Sequence, residues 1–204
     1  MSSAAAWSPE SFREVVDGLD PVVLAAGPPP VPEMDGPWRV RVADPEAGDA
    51  ELIAQWMALP HVDLFWEQAW PAERWAAVLR RQLAGSCTRP LVAARDGQDL
   101  AYLEVYRTPR DVVGRHYPAG PHDLGVHVAV GPLPATGRGL GRELVRALVT
   151  GLFAADPRCA QVLADPDVRH EKARRMFAAA GFELLAEVDL GHKGAALMSH
   201  GRLG

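Results

Sequence analysis

The stretch that most restricts the fold is DLGVHVAVGPLPATGRGLGRELVRALV, residues 123–149, in which an alternating strand runs into a glycine-rich loop and then a helix. Alternation sets Leu124, Val126, Val128 and Val130 on one strand face and Asp123, Gly125, His127 and Ala129 on the other. Leu140, Leu144, Val145, Leu148 and Val149 then recur at helical spacing, predicting a helix from about Gly139 to Phe153. Gly137, Gly139 and Gly141 leave backbone amides uncovered at the helix start, where the dipole favours an anion. Arg138 and Arg142 oppose that dipole, and a bound phosphate would account for both features. The same glycines also suit a flexible turn before an ordinary helix. Two nucleotide motifs are excluded: no GK[ST] follows the glycines, and Arg142 stands where a dinucleotide fingerprint needs its third glycine.

The small, polar strand face surrounds one imidazole. His127, between Gly125 and Ala129, has room beside it for a substrate and reads either as a general base or as a hydrogen-bonded histidine on a half-buried sheet. The next strand, AQVLA, ends in ADPDVRH; Pro166 keeps Asp165 extended at the strand tip, and Asp167 is placed to N-cap the helix through Arg169–Ala180. If the two strands are neighbours, Asp165 lies where ligand clefts of open α/β sheets form.

Upstream, Ser8 and Pro9 open a predicted helix through Phe12, Val15, Val16 and Leu19 that Gly18 and Pro21 end, and GPPPVP at 27–32 reads as a stiff extended linker. WRVRV at 38–42 alternates as a strand, a helix follows through Leu52, Ile53, Trp56 and Met57, and PHVDLFWEQAWP reads as an aromatic loop. Pro71 restarts a helix whose inner face is Trp75, Val78, Leu79 and Leu83. PLVAARDGQDLAYLEVY is a hairpin turning at Asp96-Gly97, and the last two strands are split by GHKG. The expected fold is α/β: a mixed, mostly antiparallel sheet flanked by helices, with an N-terminal helical extension over 1–35 and the main domain over 36–204.

A formal charge of -5 disfavours a phosphate-backbone binder, so no nucleic-acid partner is expected. Only Cys87 and Cys159 are present, without a CxxC pair, and neither falls in the predicted site segments; a reducing cytoplasm fits. His122 and His127 fall on opposite strand faces, so no metal site is expected. No apolar run approaches the roughly 20 residues that span a bilayer, so no membrane partner is expected.

TGRGLG at 136–141, VHVAV at 126–130 and HEKARRMFAAAGF at 170–182 resemble the pyrophosphate loop, the pantetheine-pairing strand and the following helix of the GNAT acyltransferase superfamily. WMALPHV with FWEQAWP, YLEVYRTPRD, HDLGVHVAV and LADPDVRHEKARRMF are similar, within it, to siderophore-biosynthesis lysine N-acyltransferases of the aerobactin and mycobactin type. The resemblance covers about residues 38–200. It implies acyl-CoA as co-substrate, a small amine acceptor, and a monomer or homodimer. It implies His127 as general base with Asp165 as its acidic partner. Val128, Ala129, Val130, Thr136, Gly137, Arg138, Gly139, Leu140, Gly141, Arg142, His170 and Arg174 would meet coenzyme A, and Trp66, Trp70, Tyr102, Glu104 and Asp123 the acceptor. Thr136 replaces the usual Gln or Arg, His170 the usual Asn, and Phe177 the Tyr that often protonates the departing thiolate. An aminoglycoside 6'-N-acetyltransferase and a non-catalytic coenzyme A-binding module are the competing readings.

Overall fold

A computed structural model describes residues 14, 15, 17–131 and 139–202. One seven-stranded sheet organises them, in the order β1-β2-β3-β4-β5-β7-β6. The strands are β1 (Trp38–Val42), β2 (Thr88–Arg95), β3 (Gln98–Arg107), β4 (Leu124–Val130), β5 (Gln161–Ala164), β6 (Glu183–Asp189) and β7 (Gly194–Gly201). Every pairing is antiparallel except β4 with β5. Asp96 and Gly97 turn the β2–β3 hairpin with φ of 50° and 82°, the geometry in which two left-handed residues follow the twist of the flanking strands.

The helices are α1 (Pro21–Ala25), α2 (Asp49–Met57), α3 (Pro60–Trp66), α4 (Ala72–Ala84), α5 (Leu140–Ala155) and α6 (Glu171–Ala179). Alternation along the strands makes two cores. On one face Leu103, Val105, Leu124 and Val126 pack against Leu144, Leu148 and Leu152 of α5 and Phe177 of α6. On the other, Val92, Tyr102 and Ala129 pack against Ile53, Trp56 and Met57 of α2 and Trp75, Val78 and Leu79 of α4.

The parallel pair is what opens the sheet. β4 and β5 are in register only at Leu124↔Val162 and Gly125↔Leu163, after which they diverge. Gly131 N donates to Leu100 O, so the odd residues of β4 bond toward β3, and alternation turns the backbone groups of Val126 and Val128 into the gap.

Several expectations need correction. The aromatic loop is half helical, because Pro60 starts α3 at a position where its missing N–H is harmless. Pro21 likewise begins a helix, capped by Asp20, where it was expected to end one. Most of the predicted helix around Phe12 lies outside the described residues. Of its later part, Glu14 and Val15 are extended, bridging Asp111 and donating from Val15 N to Arg110 O at 2.8 Å. Asp167 does not cap α6; its carboxylate accepts from Arg169 N at 2.8 Å and closes the turn before the helix, whose cap position is His170.

The proline-rich stretch lies as a strap against the body. Met34 is buried in the first core, and an added Cβ on Gly151 of α5 would stand 2.4 Å from Glu33 O. Arg107, 2% exposed, donates to the carbonyls of Ala26, Gly27 and Pro28 on one side and to Asp156 Oδ2 at 2.8 Å on the other. His122 Nδ1 lies 3.0 Å from the same Asp156 oxygen. Burial alone would push Asp156 up, but His122 and Arg107 outweigh it and hold the carboxyl below its usual range. Asp156→Ala strands a buried guanidinium and should cost about 3–5 kcal/mol in urea unfolding at neutral pH. Because the native carboxyl is the more acidic one, its contribution is complete above the unfolded value, and the gap between wild type and variant should close as pH falls through the native value.

Candidate active site

β3 and β4 are in register at Glu104↔His127, which sets that carboxylate and imidazole side by side on the α2–α4 face. Glu104 Oε2 lies 2.8 Å from His127 Nδ1, and Asp165 Oδ1, from the end of β5, lies 3.0 Å from His127 Nε2. Each ring nitrogen therefore faces a carboxylate. A neutral imidazole has one N–H to give, so two ionised acceptors are satisfied together only by an imidazolium.

Each carboxylate is itself held. Glu104 Oε1 accepts from Gln82 Nε2 at 2.7 Å and from the Tyr102 hydroxyl at 3.0 Å. Burial pushes Glu104 upward, yet the His127 hydrogen bond and charge, with the Gln82 and Tyr102 donors, keep it below the usual carboxylate range. Tyr102 is pushed well above its ordinary value, first by burial and then by the Glu104 charge, so its hydroxyl remains a donor. Asp165 accepts from the Tyr106 hydroxyl at 2.8 Å, and Lys193 Nζ lies 3.1 Å from Asp165 Oδ2 and 2.7 Å from its backbone carbonyl. Gly125 makes the Tyr106 position possible, since an added Cβ would stand 2.2 Å from Tyr106 Cζ.

Two cavities meet at this pair. The larger, about 230 Å³, is lined by Phe65, Trp66, Val126, Val128, Asp165 and Met176 among others and follows the gap between β4 and β5. The smaller, about 100 Å³, lies on the α2–α4 face against Trp70, Val78, Arg81 and Gln82. Glu104 and His127 line both.

Of the other anticipated residues, Val128 faces the gap, whereas Ala129 is buried in the second core and bonds toward β3. Val130 O lies 3.1 Å from His61 Nε2. Thr136, Gly137 and Arg138 lie outside the described residues. Gly139 occupies the cap position of α5 at φ 80°, a conformation glycine adopts without strain, and is followed by Leu140 as the first helical residue. Gly141 gives Met176 room, an added Cβ standing 2.6 Å from its Sδ, and Arg142 is exposed.

His170 stacks flat on Phe65, centroids 3.8 Å apart, and burial lowers its pKa. Both rings line the larger cavity. Arg174 does not reach either cavity; it donates to Val168 O and pairs with Glu187. Trp66 stands edge-on to His127 at 6.1 Å, and Trp70 carries the Arg74 guanidinium 3.7 Å over its ring. Tyr102 acts behind Glu104 and lines neither cavity. Asp123 also lies elsewhere: buried, it accepts from Gly120 N and Gln161 Nε2 and orders the entry to β4.

Cys87, expected away from the site, lines the smaller cavity, but burial pushes its thiol up to about 12, which leaves almost no thiolate. Tyr106, Gln82 and Lys193 were not anticipated. Tyr106 follows Glu104 by two in an alternating strand, which is a readable signal; Lys193 reaches Asp165 only through the closing turn of β6 and β7.

Residues 45–190 match the family model described as an acetyltransferase (GNAT) domain. The chain is 44% identical over 169 residues, 83% of its length and 76% of the relative's, to Lysine N-acyltransferase MbtK of Mycolicibacterium paratuberculosis. It is 33% identical over 153 residues to the N(6)-hydroxylysine O-acetyltransferase of Escherichia coli, covering 75% of this chain and about half, 48%, of that one. Among solved structures, aminoglycoside acetyltransferase AAC(6')-Ib in complex with coenzyme A superposes with a TM-score of 0.73 at 25% identity, over 81% of this chain and 95% of that one. A sheet split beside a histidine and flanked by helices, the family model over most of the chain and a relative at 44% identity lead to one conclusion: the chain belongs to the GNAT acetyltransferase family.

Proposed function

We propose that this protein is an N-acyltransferase of siderophore biosynthesis that moves an acyl group from acyl-CoA to the side-chain amine or hydroxylamine of lysine, ornithine or a related diamine. The observation that carries this reading is His127, fixed between two carboxylates on a wall shared by two cavities. The catalytic domain is taken as 36–204, with 1–35 as a cover. The names of the relatives, a lysine N-acyltransferase and a hydroxylysine acetyltransferase, support the acceptor class.

The donor enters the larger cavity, where Val126 and Val128 offer backbone groups to an extended pantetheine arm as a missing strand would. The same amides are donors for the charge that develops on the thioester oxygen. Gly139–Arg142, at the start of α5, would meet the diphosphate together with Thr136, Gly137 and Arg138.

The acceptor arrives as an ammonium. Glu104, ionised and at the shared wall, pairs with it in place of His127, whose ring then reacts as the neutral imidazole, Nδ1 bare and Nε2–H donating to Asp165. The ammonium sheds one proton to solvent; as the resulting amine attacks the thioester carbonyl, His127 Nδ1 takes the second, and coenzyme A leaves as a thiolate. Phe177 offers that thiolate no hydroxyl, so the imidazolium just formed returns the proton from the common wall. The paired His127 and Asp165 speak for catalysis over passive coenzyme A binding.

Thiol release measured with acetyl-CoA and longer acyl-CoA donors against lysine, hydroxylysine and kanamycin tests the function directly. Turnover with kanamycin alone would replace this reading with the aminoglycoside one. His127→Ala should lower kcat about 10²–10⁴-fold with acyl-CoA affinity retained, and wild-type turnover in the variant would remove His127 from the mechanism. Glu104→Gln should lower kcat/KM for the amine about ten- to hundredfold. Since Glu104 is held below the usual carboxylate range, it keeps its charge in mild acid. Any limb of the profile between about pH 5 and 8 belongs to another group; where that group is His127, Glu104→Gln removes the negative charge beside Nδ1 and should move the limb to lower pH as well as lower the plateau.

A further inference from the structure

The closing hairpin of the sheet delivers a lysine to the buried end of the site. In GHKG, residues 191–194, Gly191 takes φ 85°, and Leu190 N donates to Lys193 O at 3.0 Å to close the turn between β6 and β7. The start of β7 is then stitched to the segment after β5: Val168 N donates to Gly194 O at 3.0 Å and Ala196 N to Pro166 O at 2.8 Å. These bonds hold Lys193 beside Asp165, where Nζ donates to the backbone carbonyl at 2.7 Å and lies 3.1 Å from Oδ2. The Asp165 side chain is buried, whereas that of Lys193 is 20% exposed and keeps part of its hydration.

Asp165 thus turns one oxygen to the ammonium and the other to His127 Nε2 and the Tyr106 hydroxyl. Glu104 stands at the other ring nitrogen. Two carboxylates therefore flank one imidazole; an imidazolium balances one of them and Lys193 the other. Two uncompensated anions would hold the proton on the ring and leave little neutral imidazole to accept one from the substrate amine.

We infer that Lys193 is a positioning residue for the acyl transfer: acting through Asp165, it offsets that carboxylate's charge, fixes its orientation and so lets the His127 ring be neutral, and hence a base, near neutral pH. The inference rests on the acyltransferase reading above and deepens it. Other titratable groups border the same space. On the larger cavity these are Glu67, Asp167, Arg169, His170 and His192, with Asp167 paired to Arg169. On the smaller they are Glu14, Arg81, Cys87, Tyr106 and Asp111, with Glu14 paired to Arg110, and Tyr102 donates to Glu104 from behind. All of them are common to wild type and to a Lys193 variant, so the difference between the two reads the ammonium.

The test is a pair of titrations on wild type, Lys193→Met and Lys193→Arg. Ring nitrogen resonances of isotope-labelled histidine, with the His127 signal identified by its loss in His127→Gln, report protonation without turnover. The pH profile of kcat/KM for lysine, read by thiol release, reports it in the reaction. Lys193→Met should move both midpoints up by about one to two pH units, opposite in sign to Glu104→Gln, and lower kcat/KM about ten- to hundredfold below the limb with recovery above it. Lys193→Arg, which keeps the charge, should return both toward wild type. Lys193→Gln, which keeps a donor for the Asp165 carbonyl, carries the same prediction as Lys193→Met should the latter not fold. A ring that titrates alike in wild type and the uncharged variants, or an Arg variant displaced as far as the Met one, overturns the inference and leaves the acyltransferase reading in place. A wild type that releases no thiol with lysine or hydroxylysine from acetyl-CoA or longer acyl-CoA donors overturns that reading, whatever the ring does.

Discussion

The site exists because β4 and β5 run parallel and stop pairing after two residues. Any longer ladder would close the gap and satisfy the backbone of Val126 and Val128 internally. Divergence leaves a slot in the sheet whose lining mixes Phe65, Val126, Val128 and Met176 with Glu104, His127, Asp165 and Lys193, with polar backbone along one side. α5 and α6, packed on one face, and α3 and α4, packed on the other, then have separate access to the same strand. His127 stands at that crossing point because its side chain leaves β4 on the α2–α4 face while its neighbours turn toward the slot.

Its surroundings show how an ionisable group can be kept in a largely buried place. A lone imidazole or carboxylate there would be neutralised by the cost of desolvation. Here Glu104 and Asp165 flank His127, Lys193 pairs with Asp165 Oδ2, the Tyr106 hydroxyl shares Asp165 Oδ1 with the imidazole, and Gln82 and Tyr102 donate to the second Glu104 oxygen. Pairing of this kind makes each member's charge depend on the next, so a proton added at one end is felt across the row.

How much of this could be read in advance depended on range. The hairpin at Asp96-Gly97, the β4 alternation and the helix after Gly139 are local patterns and were legible. The likeness of His127 and Asp165 to family positions was legible because both lie in short segments with distinctive neighbours. Lys193 was not, because its contact with Asp165 spans 28 residues and depends on the turn between β6 and β7. The partners of Asp123 and Arg174 were not legible either, because Gln161 and Glu187 reach them across the fold. The Pro60 helix was missed because aromatic, proline-flanked stretches carry little helical periodicity over only seven residues.

Arg107 gives the N-terminal strap a significance out of proportion to its sequence. Three of its acceptors are carbonyls at 26–28, well ahead of the matched family segment that starts at 45. A chain trimmed to the homologous region would carry a guanidinium in the interior with three of its five acceptors gone, and Gly151 would face a void where Glu33 and Pro32 now sit. The family match begins at 45, yet the carbonyls at 26–28 and the Glu33 contact with Gly151 tie the prolines ahead of it to the same core.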